Sequence, residues 1–289
     1  MLPTAGIGGG LTASKLINNL YFALRAWLDK LRVPMKPRRR LQRKQQDAEP
    51  SSIWHEWLAG VELAFLRLSP LYWGFGVPHG DGSAVVLVPG FLGTDLYLSH
   101  LGNWLNRIGY SAFYSGIKLN ADCPNLLIRR YLNETIGQAC SSTCGKIHLI
   151  GHSLGGTIAL SAAAQMPDRV ASVITLGAPI RGLEAHASIQ HAADLVRKQI
   201  LEKHGRGVLP NCYTARCTCD FVESLKENLP KSVRQTAIYA KSDGILNWRV
   251  CRTGDPKVDF EVSATHIGMV FSPLVYSIVA QRLAGPDEI

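Results

Sequence analysis

The pentapeptide Gly151-His152-Ser153-Leu154-Gly155 constrains this chain more than any other stretch. Before it, Lys146-Ile147-His148-Leu149-Ile150 reads as a buried strand. After it, Thr157 to Gln165 reads as an alanine-rich helix. A G-x-S-x-G set between strand and helix needs a sharp turn that lifts the serine hydroxyl clear of the backbone. Glycine is required at 151 and 155 because a side chain at either would collide with the adjoining strand and helix. With 27 glycines in 289 residues the five letters arise easily by chance, so the flanking strand and helix carry the inference.

From about Ser83 onward, strand and helix patterns alternate, which implies a mainly parallel sheet with helices on both faces, an α/β fold. Strands are expected at 84–88, 111–117, 146–150, 170–176, 235–240 and 258–262. Helices are expected at 96–108, 125–138 and, broken near Pro273, at 267–283. One segment interrupts this rhythm. Between about 180 and 234 come two helical patterns, one with Ile189, Ala193, Val196 and Ile200 on a face, the other with Phe221, Val222, Leu225 and Leu229. A long excursion between core strands, at the carboxyl ends where ligands bind, reads as a helical cap or as an enlarged crossover. In either form its apolar residues help line a pocket. The organisation expected is therefore an N-terminal segment, 1–52, and a main domain, 53–289, carrying the cap insertion.

The net charge of +9 suggests a nucleic-acid or anionic-membrane partner until its location is considered. Lys30, Arg32, Lys36, Arg38, Arg39, Arg40, Arg43 and Lys44 fall in one stretch without an acidic residue. Without those eight the charge falls from +9 to +1. The main domain is therefore not expected to bind nucleic acid. Leu11 to Leu31 has the spacing of an amphipathic helix, interrupted by Lys15, Arg25, Asp29 and Lys30, and is too charged to span a bilayer. Residues 11–44 fit either peripheral contact with an anionic membrane surface or a helix packed on protein and followed by a solvated linker. Deleting residues 1–50 separates these readings from a third. The main domain stays folded and functional if the segment is only an anchor or linker, and folding is lost if its apolar face belongs to the core. The stretch lacks the features of a secretory signal, so a cytoplasmic location, with or without membrane association, is expected.

Seven cysteines leave the compartment open. Cys140 and Cys144 could join across a short loop, and the Cys212–Cys219 region could be stapled to Cys251. Free buried thiols fit equally well. Cys212, Cys217 and Cys219 lack the ligand spacing of a structural zinc site, so no metal is expected, nor any cofactor. No G-x-x-x-x-G-K-S/T phosphate loop occurs.

A serine hydroxyl is hardly ionised at neutral pH, so Ser153 needs a base. His266 follows the last expected strand, where a loop can reach back to the elbow. His152 adjoins the serine but points elsewhere and is expected to line the substrate pocket with Leu92 and Ile180. His79 is a weaker competitor, and His100, His186, His191 and His204 read as solvated. A histidine base needs a buried acid to fix its tautomer. Asp243 follows the strand at 235–240 and is preferred to Asp255, in a turn before Pro256, and to Asp259, inside a strand pattern. The order Ser153, Asp243, His266 is that of the nucleophile-elbow hydrolases. A tetrahedral intermediate also needs two backbone N–H donors, expected from Leu154 and Phe91.

Val88-Pro89-Gly90-Phe91, Gly151-His152-Ser153-Leu154-Gly155-Gly156, Ser242-Asp243-Gly244 and Thr265-His266 resemble the signature stretches of the α/β-hydrolase superfamily. Within it the chain is most similar to bacterial triacylglycerol lipases and related esterases, over about residues 80–285. The resemblance implies Ser153 as nucleophile, His266 as base, Asp243 as acid, and Phe91 with Leu154 as oxyanion donors. Many such lipases carry His-Gly before the oxyanion residue, where this chain has Pro89-Gly90. The activity expected is cleavage of a carboxylic ester through an acyl-enzyme. An acyltransferase or thioesterase using the same triad is the alternative, and a non-catalytic lipid carrier is disfavoured because all three residues are kept.

Overall fold

Five apolar residues, Ala84–Val88, form the first strand (β1) of the computed structural model, which describes residues 53–182, 185–214 and 216–285. All five are buried, the pattern of a strand covered on both faces. β2 (Ser111–Tyr114), β3 (Ile147–His152), β4 (Val170–Leu176), β5 (Arg234–Tyr239) and β6 (Asp259–Glu261) follow. Among the described residues these six strands make one sheet in the order β2-β1-β3-β4-β5-β6, and every pairing is parallel. The chain starts at β1, steps to β2 on one side, then crosses to β3 on the other. The carboxyl ends of β1 and β3 therefore flank a topological switch, where doubly wound sheets leave a crevice for ligand.

Helices Ala59–Leu68 (α1), Ser99–Arg107 (α2), Pro124–Leu127 (α3), Asn133–Thr143 (α4), Leu154–Gln165 (α5), Ala187–His204 (α6), Asp220–Glu223 (α7) and Pro273–Ala284 (α8) surround the sheet. α5 is buried from Gly155 to Ala163, which is why its sequence is small and apolar all round rather than striped. One face of the sheet packs on α2 and α8, with the Trp104 and Tyr276 rings 4.5 Å apart between centroids. The other face packs on α4 and α5.

The expected elements form, with three differences. The helix expected over 125–138 has a π-turn at Ile128–Leu132 between α3 and α4. The second helical pattern of the excursion makes only the single turn α7. Beyond it the Ser224 hydroxyl bonds the Phe221 carbonyl and Ser161, a local alternative to helix continuation. The strand expected over 111–117 ends at Tyr114, where Ser115 and Gly116 turn to bond Asp95.

The cysteines are all free. Cys251 packs with Ala185, Tyr239, Leu246 and Val250, whereas Cys212 packs with Cys123, Val196 and Ile200, so the staple weighed between them is not made. Among the described residues no group of three His, Cys, Asp or Glu could hold a metal ion, and no helix is long and apolar enough to cross a membrane. The amphipathic stretch from Leu11 to Leu31 and the basic segment after it lie outside the described residues.

Candidate active site

β3 delivers Ser153 into an unusual backbone state, φ 53° and ψ −129°, directly before the first residue of α5. A non-glycine residue there costs about 1–3 kcal/mol. Contacts around it hold the turn. A Cβ at Gly151 would run into the Gly155 carbonyl, and one at Gly155 into the carbonyls of Val88 and Pro89, so no other residue lets β1, β3 and α5 approach so closely. Ser153 N–H donates to the Leu176 carbonyl (2.8 Å), fixing the elbow to β4.

The loop after β1 faces the elbow. It folds into a tight turn in which Gly93 N–H donates to the Gly90 carbonyl (2.9 Å) and Leu92 adopts φ 58°. Asn120, fully buried, ties it down: its Nδ2 donates to the Pro89 carbonyl (2.7 Å), its N–H to the Gly93 carbonyl, and its own carbonyl accepts from Leu92 N–H (2.9 Å each). These bonds leave Phe91 at the apex of the turn. Leu154, as the first residue of α5, has an N–H without an intrahelical acceptor.

The loops after β5 and β6 bring Asp243 and His266 together. Both are 2% exposed, and His266 Nδ1 lies 2.6 Å from Asp243 Oδ2. The other carboxylate oxygen, Oδ1, accepts from the N–H groups of Ile245 (2.8 Å) and Leu246 (2.7 Å). Burial pulls the His266 pKa down, but the Asp243 charge and hydrogen bond, helped by Glu56, outweigh it and hold it above the ordinary imidazole value. The competing acid Asp259 instead binds Thr253 and the Gly254 N–H and pairs with Arg252.

His152 lines the same cavity and serves as a strut. Its Nε2 is 2.9 Å from the His266 carbonyl, which can only accept, so the proton sits on Nε2. Nδ1 is then an acceptor, Tyr97 Oη (2.9 Å) donates to it, and the same oxygen accepts from Gly90 N–H (2.6 Å). Burial first, then the neighbouring His266, pushes the His152 pKa down to about 3, so the strut stays neutral. One chain of bonds thus joins the turn after β1 to the loop carrying His266. Tyr97→Phe leaves the buried Gly90 N–H and His152 Nδ1 without partners. It is expected to cost about 1–3 kcal/mol of stability, read as a fall in thermal midpoint. An unchanged midpoint would show that the strut bears no load.

Ser153, His266, Phe91 and Leu154 line one largely apolar cavity of about 640 Å³. Leu92, His152 and Ile180 line it too, with Ile189 and Ala193 of α6 and Phe221 of α7. The predicted α6 face is divided: Ile189 and Ala193 reach the cavity, while Val196 and Ile200 pack on Cys123 and Cys212. His204 is not solvated as expected. Its side chain is 9% exposed and Nε2 lies 2.7 Å from Asp122 Oδ1. His100 likewise contacts Tyr72 (3.2 Å) and Arg67 (3.3 Å).

Two carboxylates around this site had no sequence signal. Glu56, just before α1, and Glu62, on it, are 9% and 4% exposed. Glu56 accepts from the N–H groups of Gly244, His266 and Ile267, and Glu62 from the N–H and hydroxyl of Thr265. Asn120 and Tyr97 were unmarked as well: Asn120 acts through the backbone of Pro89, Leu92 and Gly93, and Tyr97 joins Gly90 N–H to the His152 ring, 55 positions away.

Residues 141–206, which include the elbow, match the family described as alpha/beta hydrolase fold. The chain is 36% identical over 136 residues to a triacylglycerol lipase of Burkholderia plantarii, a match covering 44% of this chain and 38% of that lipase. It is 22% identical over 225 residues to a mitochondrial palmitoyl-protein thioesterase of Mus musculus, covering 70% and 73% of the two chains. A solved metagenome-derived lipolytic enzyme superposes with a TM-score of 0.49 at 14% identity, covering 72% of this chain and 96% of that one. The chain matches less than half the length of the bacterial lipase. The parallel sheet, the elbow after β3 and the family match define the α/β-hydrolase fold. Within that fold the chain resembles the bacterial lipases and esterases.

Proposed function

We propose that the protein is a serine hydrolase of carboxylic esters, with Ser153 as nucleophile, His266 as general base and acid, and Asp243 as the orienting carboxylate. The observation that carries this reading is the buried His266–Asp243 pair lining one cavity with a serine held at positive φ on a strand-to-helix turn. Ser153 Oγ attacks the ester carbonyl as its proton passes to His266 Nε2, the nitrogen not engaged by Asp243. The oxyanion forms against the N–H groups of Phe91 and Leu154. Collapse breaks the ester C–O bond, and His266 returns the proton to the departing alcohol. Water, deprotonated by His266, then attacks the acyl-enzyme, and its breakdown releases the acid and restores Ser153. The apolar cavity favours an acyl chain over a charged group. The segment between β4 and β5 is the lid of this reading, because α6 and α7 supply part of the cavity wall.

Because the same machinery can send the acyl group elsewhere, a thioester substrate is the second reading, and the similarity to a palmitoyl-protein thioesterase favours it. Kinetics on matched oxygen esters and thioesters of stepped chain length, with and without an alcohol acceptor, separate the readings. Hydrolysis of oxygen esters dominating supports the first. Thioester cleavage or acyl transfer outpacing it by tenfold or more displaces it. Failure of a fluorophosphonate to label Ser153 would remove both.

A pH dependence follows from the raised His266 pKa. The base must be neutral to accept the serine proton, so kcat/KM should fall on acidification, half-maximal above the usual imidazole value of about 6.5. A profile still flat at pH 5 contradicts His266 as the base.

A further inference from the structure

Glu56 lies outside the three reacting residues, yet it touches the backbone of both loops that carry the acid and the base. Oε1 accepts from Gly244 N–H and His266 N–H, each 3.1 Å, and Oε2 accepts from Ile267 N–H at 2.9 Å. Gly244 directly follows Asp243, so one side chain pins the residue beside the acid and the base itself. Three N–H donors facing one carboxylate are what an ionised, acceptor-only group satisfies. A buried carboxylate is costly without such partners, and Glu56 brings a negative charge close to the group that must become an imidazolium. Ser242 Oγ to the Ala264 carbonyl (2.8 Å) is a second link between the same loops, but a neutral one.

We propose that Glu56 is a positioning residue for the catalytic centre. Its carboxylate clamps the Asp243 and His266 loops in register and supports the charged form of His266 across the hydrogen-bonded backbone. Glu62 provides a built-in comparison: it is as buried and binds Thr265 N–H (3.0 Å) and Oγ1 (2.8 Å), but it does not bond His266. Its role is to hold the loop, and a Cβ at Gly268 would fall on its carboxylate. The groups facing the His266 ring are Asp243 at Nδ1, the neutral His152 with ring centroids 4.8 Å away, and the Glu56 charge. Asp243 also acts on the buried Cys251 thiol, which packs with Tyr239, Leu246 and Val250.

The inference rests on the hydrolase reading for its kinetic arm only. In the full-length chain, Glu56→Gln keeps the shape, removes the charge and turns an NH₂ toward at least one backbone N–H. It should lower kcat for a soluble ester tenfold or more with KM within about threefold. It should also move the acidic limb of kcat/KM to lower pH by about half a unit or more, because a lost negative charge disfavours the imidazolium. Glu62→Gln should lower the thermal midpoint without moving that limb. Glu56→Asp keeps the charge with a shorter reach, so the limb should stay while kcat falls. An NMR titration of the His266 ring in Ser153→Ala and in Ser153→Ala/Glu56→Gln reads the same pKa difference without any turnover. If wild-type protein proves inactive and unlabelled by fluorophosphonate, the hydrolase reading fails, and the titration still decides the role of Glu56. Equal titration curves, wild-type kcat in both Glu56 variants, or failure of both to fold would each overturn the proposal, the last by making Glu56 a purely structural residue.

Discussion

Ser153→Ala is expected to lower ester turnover by about 10⁴- to 10⁶-fold while leaving a folded protein whose thermal midpoint is nearly unchanged. No charge is removed and no element is uncapped, because the hydroxyl sits on a turn fixed by backbone contacts at Gly151, Gly155 and Leu176. Alanine keeps a Cβ, so the cost of φ 53° stays. Glycine at the same position has no such cost. The relief, about 1–3 kcal/mol, exceeds the roughly 0.5–1 kcal/mol of extra chain entropy that glycine loses on folding. Ser153→Gly should therefore be as inactive as Ser153→Ala and melt higher. Calorimetry on the pair tests the strain, and kinetics test the chemistry. Surviving activity in either would show that the nucleophile is elsewhere.

Asp243→Asn should be nearly as damaging, for a reason written in its hydrogen bonds. Oδ1 accepts two backbone N–H groups, so an asparagine must keep its oxygen there and turn its NH₂ toward His266 Nδ1. A donor at that point forces the ring proton onto Nε2, the nitrogen that receives the Ser153 proton in the proposed mechanism. A fall in kcat/KM of about 10³- to 10⁴-fold at neutral pH is expected, with little change in KM. A loss below tenfold would mean that Asp243 is structural and that another group orients the base.

The elbow was legible because its requirements are local: glycines on either side of a serine, an apolar strand before and small residues after. That Asp243 and His266 meet could be expected because each follows a strand, and strand ends at the carboxyl edge of a parallel sheet are where side chains can converge. The strand bounds were also close, since fully apolar runs such as Ala84–Val88 have few alternatives to a buried strand. What escaped notice acts at a distance. Nothing about Glu56 in the run Trp54-His55-Glu56-Trp57 marks it as the partner of N–H groups 188, 210 and 211 positions away. Asn120 belongs to no motif, and its importance lies in its bonds to the backbone of Pro89, Leu92 and Gly93. The excursion misled in one detail, because apolar spacing around Phe221 and Leu225 suits one helical turn plus packing as well as a full helix. His204 was misread because Asp122, its partner, lies 82 positions earlier.

The separation between Glu56 and its partners bears on how the protein matures. The segment bearing Glu56 and Glu62 leaves the ribosome before Gly244, Thr265, His266 and Ile267, which bond the two carboxylates from more than 180 positions later. Until that late stretch is made, Glu56 lacks the N–H groups of Gly244, His266 and Ile267, Glu62 lacks Thr265, and the loop bearing His266 is not assembled. Contacts so remote form slowly. Regain of function during refolding should therefore lag behind recovery of far-ultraviolet dichroism, and ribosome-stalled chains ending before His266 should dock α1 poorly.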